Sequence, residues 1–270
     1  MIDLTRRRFL GGAVALAWAL RGTRRASAQP ASAGPADAQL IEDLVAANHI
    51  LVDQGVLDGY GHVSARHDRD PNRYLMSRSR APELVTAADI MEYDLESEAV
   101  EPRGRTSYLE RFIHGEIYRA RPDVRAIVHS HSPSVIPFGV TGAPLRPLYH
   151  MSAFLAAGVP VFDIRAAAGG ATDMLVRTPA LGRALAQSLG ARPVALMRGH
   201  GAVVVGTTLP QVVFRSVYTE MNARLQAQAM ALGGPVTYLS PEEAQQAEAS
   251  IAGTLGRPWE LWKQKARRSP

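Results

Sequence analysis

The chain of 270 residues contains no cysteine. Without thiols it can form neither disulfides nor thiolate metal sites, so any metal ion must be held by histidine and carboxylate side chains. The chain also lacks a long hydrophobic run. The apolar segment at 9–20 is shorter than the about 20 residues that a transmembrane helix needs. We therefore predict no stable membrane span in the mature protein.

The chain after its N-terminal segment also carries no excess of charge of either sign. The formal net charge of +5 arises in residues 1–28, which contain six arginines and one acidic residue. Subtracting these from the 30 basic and 25 acidic residues leaves 24 of each. The rest of the chain is formally neutral and shows no basic stripe, which argues against a nucleic-acid partner.

The N-terminal segment has the pattern of an export signal. Three arginines at 6–8 precede the apolar run, and Ala-Ser-Ala at 26–28 has the small-x-small pattern of a cleavage site. We predict that residues 1–28 are a twin-arginine signal, recognised by the twin-arginine translocase, and that the mature protein is periplasmic. An uncleaved signal anchor is the alternative. Residues 29–36, rich in alanine, serine and proline, are predicted to be a flexible leader.

Residues 37–270 alternate between short strands and helices, without an internal repeat or a linker. We expect one α/β domain with helices on both faces of a sheet and a helical C-terminal tail. The predicted strands are 62–66, 74–77, 91–95, 124–131, 159–164, 193–197 and 202–205. The predicted helices are 36–57, 107–121, 151–157, 178–189 and 209–232, and a loop is predicted at 166–171.

Histidines at three places indicate a metal site. In the strand at 124–131, His129 and His131 project the same way because alternate side chains share a face. His200 lies between two glycines in a tight turn, where the backbone bends sharply and a ligand can approach closely. Glu110 precedes His114 by one helical turn. Each feature alone has a plain structural explanation, as a satisfied core or surface residue.

Taken together, three imidazoles and a carboxylate make a site typical of catalytic zinc, with positions open for substrate. A metal ion there can polarise a carbonyl as a Lewis acid. We favour zinc, and manganese, iron or cobalt would accept the same ligands.

In combination, the motifs resemble the class II aldolase/adducin family, the fold of L-fuculose-phosphate aldolase, over residues 38–232. The segments that carry the resemblance are 61–64, 75–82, 84–86, 110–118, 121–124, 128–131 and 197–201. The resemblance implies a three-layer α/β/α domain around a mixed, largely antiparallel sheet. It also implies a homotetramer with the active site near a subunit boundary.

The resemblance further implies residue roles. His129, His131 and His200 would be the metal ligands, Glu110 the catalytic acid or base, and His114 a supporting residue behind them.

The chain departs from the sugar-phosphate aldolases at their phosphate site. His62 replaces asparagine, residues 77–80 (Ser-Arg-Ser-Arg) replace a Thr-Pro-x-Gly segment, and Tyr108-Leu109 replaces two serines. Guanidinium groups suit planar carboxylates, which they bind through two parallel hydrogen bonds. Solvated surface arginines are the alternative. The predicted substrate-binding residues are His62, Ser64, Ser77, Arg78, Ser79, Arg80 and Tyr108.

With these replacements, the motifs resemble those of the family branch whose members decarboxylate 2-hydroxy-3-carboxymuconic semialdehyde or dihydroxyphthalate. The resemblance implies a metal-dependent lyase that removes CO2 from a small enol- or keto-type di- or tricarboxylate through a metal-stabilised enolate. Glu110 or His150 would return a proton to carbon, with Tyr149 beside His150. The alternatives are a sugar-phosphate or sugar-acid aldolase, a metal-binding oxygenase, and a non-catalytic adducin-like binding domain.

Overall fold

A computed structural model describes residues 31–267 of the chain. The predicted export signal and the first residues of the predicted leader lie outside these residues. Within 31–267, no helix is both long and apolar enough to cross a membrane. One sheet of eight strands forms the centre of the described part of the chain, in the order β4-β3-β2-β1-β5-β8-β7-β6.

The sheet is mixed and largely antiparallel, as predicted. Every pair of neighbouring strands is antiparallel except β6 and β7, which are parallel. The strands are β1 (His62–Arg66), β2 (Arg73–Ser77), β3 (Ile90–Asp94), β4 (Ala99–Val100), β5 (Ala126–Ser130), β6 (Val161–Phe162), β7 (Val194–Met197) and β8 (Gly201–Gly206). Because β1 and β5 are central neighbours, His62 pairs directly with His129.

Helices cover both faces of the sheet, which confirms the predicted three layers. The α-helices are α1 (Ala38–Asp53), α2 (Phe112–Ala120), α3 (Ile136–Val140), α4 (Ile164–Ala168), α5 (Pro179–Leu189), α6 (Leu209–Ala231), α7 (Pro241–Ala252) and α8 (Gly256–Ala266). The 3-10 helices are Pro82–Leu84, Ala87–Asp89, Leu109–Arg111 and His150–Ala157. The C-terminal tail is helical, as predicted, and it packs against the core through the buried Trp259 and Trp262.

The central strands contribute to two cores because their side chains alternate between the faces. In β5, Ala126 and Val128 belong to the core beneath α1, α6 and α8. Ile127 belongs to the other core, beneath α2 and α5. His129 follows Ile127 by two residues and therefore faces the α2 layer, where Glu110 lies. The apolar pattern of one strand thus selects the layer that holds the site.

Four predicted elements differ clearly from the structure. The helix predicted at 36–57 is shorter, since α1 begins at Ala38 and ends at Asp53. The loop predicted at 166–171 is partly α4, which Asp163 caps by accepting a hydrogen bond from the Arg165 N–H. The strand predicted at 159–164 is reduced to β6. The helix predicted at 107–121 begins later, because Glu110 has non-helical φ and ψ angles of −91° and 18° and the regular helix starts at Phe112. This kink turns the Glu110 side chain towards the histidines.

The described end of the predicted leader is attached to the sheet. Residues 31–36 form neither helix nor strand. The hydroxyl of Ser32 and the backbone N–H of Ala33 donate hydrogen bonds to the Glu92 carboxylate on β3, at 2.6 and 2.8 Å. These contacts hold the segment along β3 before α1 begins.

Candidate metal centre

The structure brings the three predicted ligands and Glu110 together. One ligand atom from each of these four side chains lies within 4.8 Å of all the others. The Nε2 atoms of His131 and His200 are 3.0 Å apart. Glu110 Oε2 lies 3.5 Å from Nε2 of His129 and 3.4 Å from Nε2 of His200. Donors that surround one zinc ion tetrahedrally at ~2.1 Å are about 3.4 Å apart. The spacing therefore fits a single ion.

Close backbone packing positions these side chains. His129 is on β5, and His200 lies in the turn from β7 to β8, where Gly199 adopts a φ of +62° that favours glycine. Gly201 follows, and a Cβ atom added there would lie 2.0 Å from the carbonyl oxygen of Ser130. Only glycine allows the start of β8 to lie this close to the end of β5. The two glycines around His200 thus bring its ring to His131.

Backbone carbonyls fix the orientation of two of the rings. Nδ1 of His129 lies 3.1 Å from the Ala202 carbonyl oxygen, and Nδ1 of His200 lies 3.0 Å from that of Met174. Since a carbonyl only accepts, each Nδ1 carries the hydrogen and each Nε2 keeps a free lone pair. Nε2 of His129 is buried and has no hydrogen-bond partner among the described residues. A metal ion held among the four side chains would satisfy this unpartnered lone pair.

Burial affects the charges in the cluster. It lowers the pKa of His131 to about 4, helped by the neighbouring His129 and His200, so this imidazole is neutral at pH 7. Burial acts to raise the pKa of Glu110. The adjacent imidazoles of His129 and His200 outweigh that effect and hold the pKa of Glu110 well below its usual range. Burial acts to lower the pKa of His200, but the ionised Glu110 beside it outweighs this and raises the pKa of His200. A neutral His131 and an ionised Glu110 are the forms that bind a cation, which would take the place of a proton on His200.

Glu110 is held by its other oxygen. Its Oε1 accepts a hydrogen bond of 2.8 Å from the backbone N–H of Val176, and the side chain is nearly buried. This contact leaves Oε2 facing the histidines. Glu110 can therefore ligate a metal ion or exchange a proton with a substrate beside it.

A cavity of about 370 Å³ opens onto the cluster. Glu110 and His131 line its floor, and His62, Arg80 and Tyr108 form part of its wall. Of the predicted substrate-binding residues, Ser79 also lines the cavity. A volume in this range accommodates a small molecule. The cluster is thus accessible to substrate.

The two predicted arginines share one buried carboxylate. Asp89 Oδ1 accepts a hydrogen bond from Arg78 Nε at 2.6 Å and lies 3.5 Å from Arg80 Nη1. Arg78 is not among the residues that line the cavity, whereas Arg80 is. Two guanidinium groups against one carboxylate leave a net positive charge at the cavity wall. Arg80 thus lies at the cavity and Arg78 holds Asp89, and substrate binding by Arg80 stays a prediction.

The environment of Asp89 predicts a pH-dependent stability. Burial acts to raise its pKa, but hydrogen bonds from Thr86 and Arg78 lower the pKa from 3.8 to about 2. Because the folded-state pKa is depressed, its stabilisation is complete above about pH 4 and is lost as the pH falls to about 2. The difference corresponds to about 2 kcal/mol.

We expect Asp89→Asn to reduce the free energy of unfolding in urea at pH 7 by about this amount and to flatten its dependence on pH in acid. Asp53→Asn, at an exposed carboxylate on α1, is the control and should change little. Equal acid sensitivity of the Asp89→Asn variant and the wild type would contradict the role given to Asp89.

Comparison with known proteins identifies the family. Residues 42–227 match the family described as class II aldolase and adducin N-terminal domain, which is more than half of the chain. The chain therefore belongs to the class II aldolase and adducin family. It is 37% identical over 244 residues to the decarboxylase tropJ of Talaromyces stipitatus, covering 82% of this chain and 92% of that protein.

It is also 31% identical over 210 residues to the 3,4-dihydroxyphthalate decarboxylase of Arthrobacter keyseri, covering 72% of this chain and 79% of that protein. The fold is similar to that of the L-fuculose 1-phosphate aldolase from Glaciozyma antarctica, with a TM-score of 0.70 and 24% identity over 86% of this chain and 93% of the other. Family membership and the decarboxylase relatives confirm the prediction of a lyase, and the structural likeness confirms the fold.

Three predicted residues of this family member lie behind the cavity wall. Ser64 and Ser77 are fully buried. The Ser64 hydroxyl is hydrogen-bonded to His114 and Tyr118, and that of Ser77 to Tyr108. The structure corrects the expectation that the two serines touch substrate, because their hydroxyls are already engaged inside the protein. His114 is where it was predicted, one layer behind the metal ligands.

Tyr149 and His150 lie away from the histidine cluster in the described structure. His150 is exposed and lines a separate cavity with Phe154, Phe214 and Arg215. The ring of Tyr149 packs against Tyr218 of α6, with centroids 6.4 Å apart. Within the described part of one chain, neither residue lines the cavity that contains Glu110. Their catalytic role stays a prediction without support from this arrangement.

Asp89 is a site residue that the sequence reasoning missed. It closes a capping box with Thr86, whose backbone N–H and hydroxyl both donate to Asp89 Oδ2. The Thr-x-x-Asp pattern is a signal for such a box. It indicates the cap of the short helix but not the pairing with two arginines.

Proposed function

We propose that this protein removes CO2 from a small aromatic or enolic di- or tricarboxylate. The observation that supports this most directly is a metal-type cluster at the floor of a cavity whose wall presents Arg80. The dihydroxyphthalate decarboxylase named above acts on an aromatic dicarboxylate, which has the same chemistry. A sugar phosphate fits less well, because Arg80 and Tyr108 occupy the wall where the resemblance places small residues.

The cluster has the donor set for one divalent ion, with His129, His131 and His200 as ligands and Glu110 beside them. We propose zinc, since the imidazole-rich set and the donor spacing suit it. Such an ion supplies Lewis-acid stabilisation of negative charge on a substrate oxygen. The carbonyls of Ala202 and Met174 keep two of the imidazoles in the tautomer that offers Nε2.

Arg80 orients the substrate in this proposal. Its side chain is partly exposed at the cavity wall, and its Nε has no hydrogen-bond partner among the described residues. A carboxylate of the substrate can accept hydrogen bonds from the guanidinium group. Asp89 holds the guanidinium from behind and restricts its movement. The carboxylate that departs would then lie nearer to the cluster than the one that Arg80 retains.

Glu110 moves the proton. Decarboxylation breaks the bond between the ring or enol carbon and the carboxyl carbon, and the electron pair stays on the substrate. Glu110, held ionised, can accept a proton from a substrate hydroxyl at Oε2 and return it to the carbon that loses CO2. A proton from solvent then restores the hydroxyl. Tyr108 and Leu109 at the wall restrict access of water to this carbon.

The reaction can be tested on purified, zinc-loaded protein with 3,4-dihydroxyphthalate and related enol-forming carboxylates, alongside ketose phosphates. We expect release of CO2 from a carboxylate and no aldehyde from the phosphates. Release of dihydroxyacetone phosphate from a ketose phosphate, without CO2 from any carboxylate, would favour the aldolase alternative.

Removing the guanidinium group gives a specific prediction. We expect Arg80→Ala to raise KM for the carboxylate substrate by about 10- to 100-fold, because a hydrogen bond to a charged group contributes ~1.5–3 kcal/mol. Steady-state kinetics of CO2 release measures the effect. Arg103→Ala, at an exposed arginine paired with Glu101, is the control. An unchanged KM in Arg80→Ala would remove the basis for carboxylate recognition at this wall.

We also propose that the protein is exported by the twin-arginine route to the periplasm. The support is the arginine triplet at 6–8 with its apolar run and cleavage pattern, together with a chain that needs no disulfide after export. Replacing Arg6 and Arg7 together by lysine should retain the protein in the cytoplasm, as fractionation and blotting would show. Periplasmic protein at the wild-type level in this variant would contradict the route.

A homo-oligomer is part of the proposal. Tyr60 and Leu109 line the cavity mouth and are 71% and 58% exposed. Large apolar side chains at a cavity rim are suited to contact with a neighbouring subunit. The resemblance to tetrameric aldolases supports four copies, which light scattering on the purified protein would measure.

A further inference from the structure

A buried chain of hydrogen bonds runs from the cavity wall into the protein behind the cluster. Nδ1 of His62 lies 2.6 Å from Nε2 of His114, and Nδ1 of His114 lies 2.6 Å from the Ser64 hydroxyl. The Ser64 hydroxyl lies 2.8 Å from the hydroxyl of Tyr118. His114 and Ser64 have no exposed surface, and Tyr118 is 1% exposed. Only His62, at the cavity end, lies at the wall.

The number of hydrogens in the chain is limited. Each hydroxyl carries one hydrogen, and an imidazole nitrogen that accepts a hydrogen bond carries none, so its ring must hold its hydrogen on the other nitrogen. Burial raises the pKa of Tyr118, so its hydroxyl keeps its hydrogen. Ser64 contributes one hydrogen more.

The buried Tyr118 hydroxyl excludes one of the two directions in which this chain of hydrogen bonds could run. Its hydroxyl has Ser64 as its only hydrogen-bond partner within residues 31–267, so its hydrogen must go to the Ser64 oxygen. The hydrogen of Ser64 then has one acceptor left, Nδ1 of His114. This places the His114 hydrogen on Nε2, from which it is donated to Nδ1 of His62.

The other arrangements leave a hydrogen without an acceptor. If the chain ran the opposite way, the buried Tyr118 hydroxyl would have nothing to donate to. If both Tyr118 and His114 donated to Ser64, the Ser64 hydrogen would be stranded instead. An unsatisfied buried donor costs about 1–3 kcal/mol. The arrangement that starts at Tyr118 gives an acceptor to the hydrogens of Tyr118, Ser64 and His114.

We propose that this chain holds His62 as the neutral tautomer with its hydrogen on Nε2, and that this N–H donates to an anionic oxygen of the substrate. The ring of His62 lies between those of Tyr108 and His129, with centroids at 4.7 and 5.1 Å. Nδ1 is used by His114, so Nε2 is the nitrogen left for a ligand. A neutral donor beside the cluster adds no charge that would repel a cation. Only the nature of the ligand rests on the proposed function.

Nitrogen-15 NMR of the zinc-loaded protein, labelled at its eight histidines, reads the tautomer directly. The His62 signals are those that disappear in His62→Phe. We expect a pyridine-type signal for Nδ1 and a pyrrole-type signal for Nε2. Hydrogen on Nδ1 would overturn the proposal. Phthalate, an unreactive aromatic dicarboxylate, should shift the Nε2–H resonance, and a resonance that does not move with phthalate would overturn the donor role.

Two variants distinguish an effect of the hydrogen-bond chain on His62 from an effect of packing alone. Tyr118→Phe removes the Tyr118 oxygen, which is the other atom that could accept from Ser64. The Ser64 hydroxyl can then donate only to His114, so we expect this variant to keep the wild-type tautomer and to serve as the control. In Ser64→Ala nothing donates to Nδ1 of His114, and a second His62 tautomer should appear. Identical His62 signals in Ser64→Ala and wild type would overturn the role of the chain.

Affinity for phthalate supplies a further measurement. We expect His62→Phe to bind phthalate about tenfold more weakly or worse, because a hydrogen bond to a charged group is lost. Tyr118→Phe should bind it as the wild type does. Equal affinity in His62→Phe and Tyr118→Phe would overturn the donor role. A protein that shows the expected tautomer and phthalate response but releases no CO2 would refute the proposed function and leave this inference standing.

Discussion

Replacing His129 by alanine is expected to eliminate both metal binding and turnover. Nε2 of His129 is the unpartnered buried nitrogen of the cluster, and its lone pair is lost with the ring. Loss of several kcal/mol of charge stabilisation corresponds to a rate about 10³-fold lower or worse. Elemental analysis of the purified protein and CO2 release measure the two effects. Zinc should raise the melting temperature of the wild type and leave that of His129→Ala unchanged.

The His129 experiment needs a control for packing, because the side chain is fully buried and its removal leaves a cavity. His200→Gln, at a residue closer to the surface, should show the same loss of metal and activity without a cavity in the sheet. His49→Ala changes a half-buried histidine whose contact is with the Val85 carbonyl, away from the cluster, and should retain both properties. Stoichiometric metal in His129→Ala and His200→Gln would refute the metal centre.

Glu110→Gln is expected to lower kcat by about 10²- to 10⁴-fold while the protein keeps its metal. Glutamine has the size of glutamate, and its carbonyl can still accept the Val176 N–H, so the geometry is preserved. Three imidazoles remain to hold the ion. An amide, however, cannot accept the proton that Oε2 would take. Single-turnover CO2 release combined with metal analysis separates the two roles open to Glu110.

Glu116→Gln is the matched control, since Glu116 is also a buried glutamate and lies on α2, where it contacts Arg183 and Arg119. We expect this variant to retain activity. If Glu110→Gln loses activity and metal together, Glu110 acts mainly as a ligand. Full activity in Glu110→Gln would exclude it as the proton carrier and leave the proposed reaction without a base on this wall.

The separation of Tyr149 and His150 from the cluster shows where local reasoning stops. A neighbouring tyrosine and histidine in a loop have the chemistry of a proton relay, and the sequence contains nothing that tells which cavity they line. The 3-10 helix His150–Ala157 and its contacts with α6 and α7 decide that. The serines at 64 and 77 were misplaced for the same reason, because hydroxyl groups in a strand can face either a cavity or a neighbouring helix.

The sequence by itself determined the residue types of the metal centre, the two-residue spacing of His129 and His131, and the α/β architecture. These follow from local rules: alternate strand residues share a face, glycines permit the turn around His200, and no cysteine is available as a ligand. Only the tertiary structure decided that Asp89 restrains the arginines, that the helix kinks at Glu110, and that the Ser64 hydroxyl donates to His114 and so orients the hydrogens as far as His62. Each of these depends on contacts between segments far apart in the chain, whose distances follow from how the layers pack and not from any local pattern.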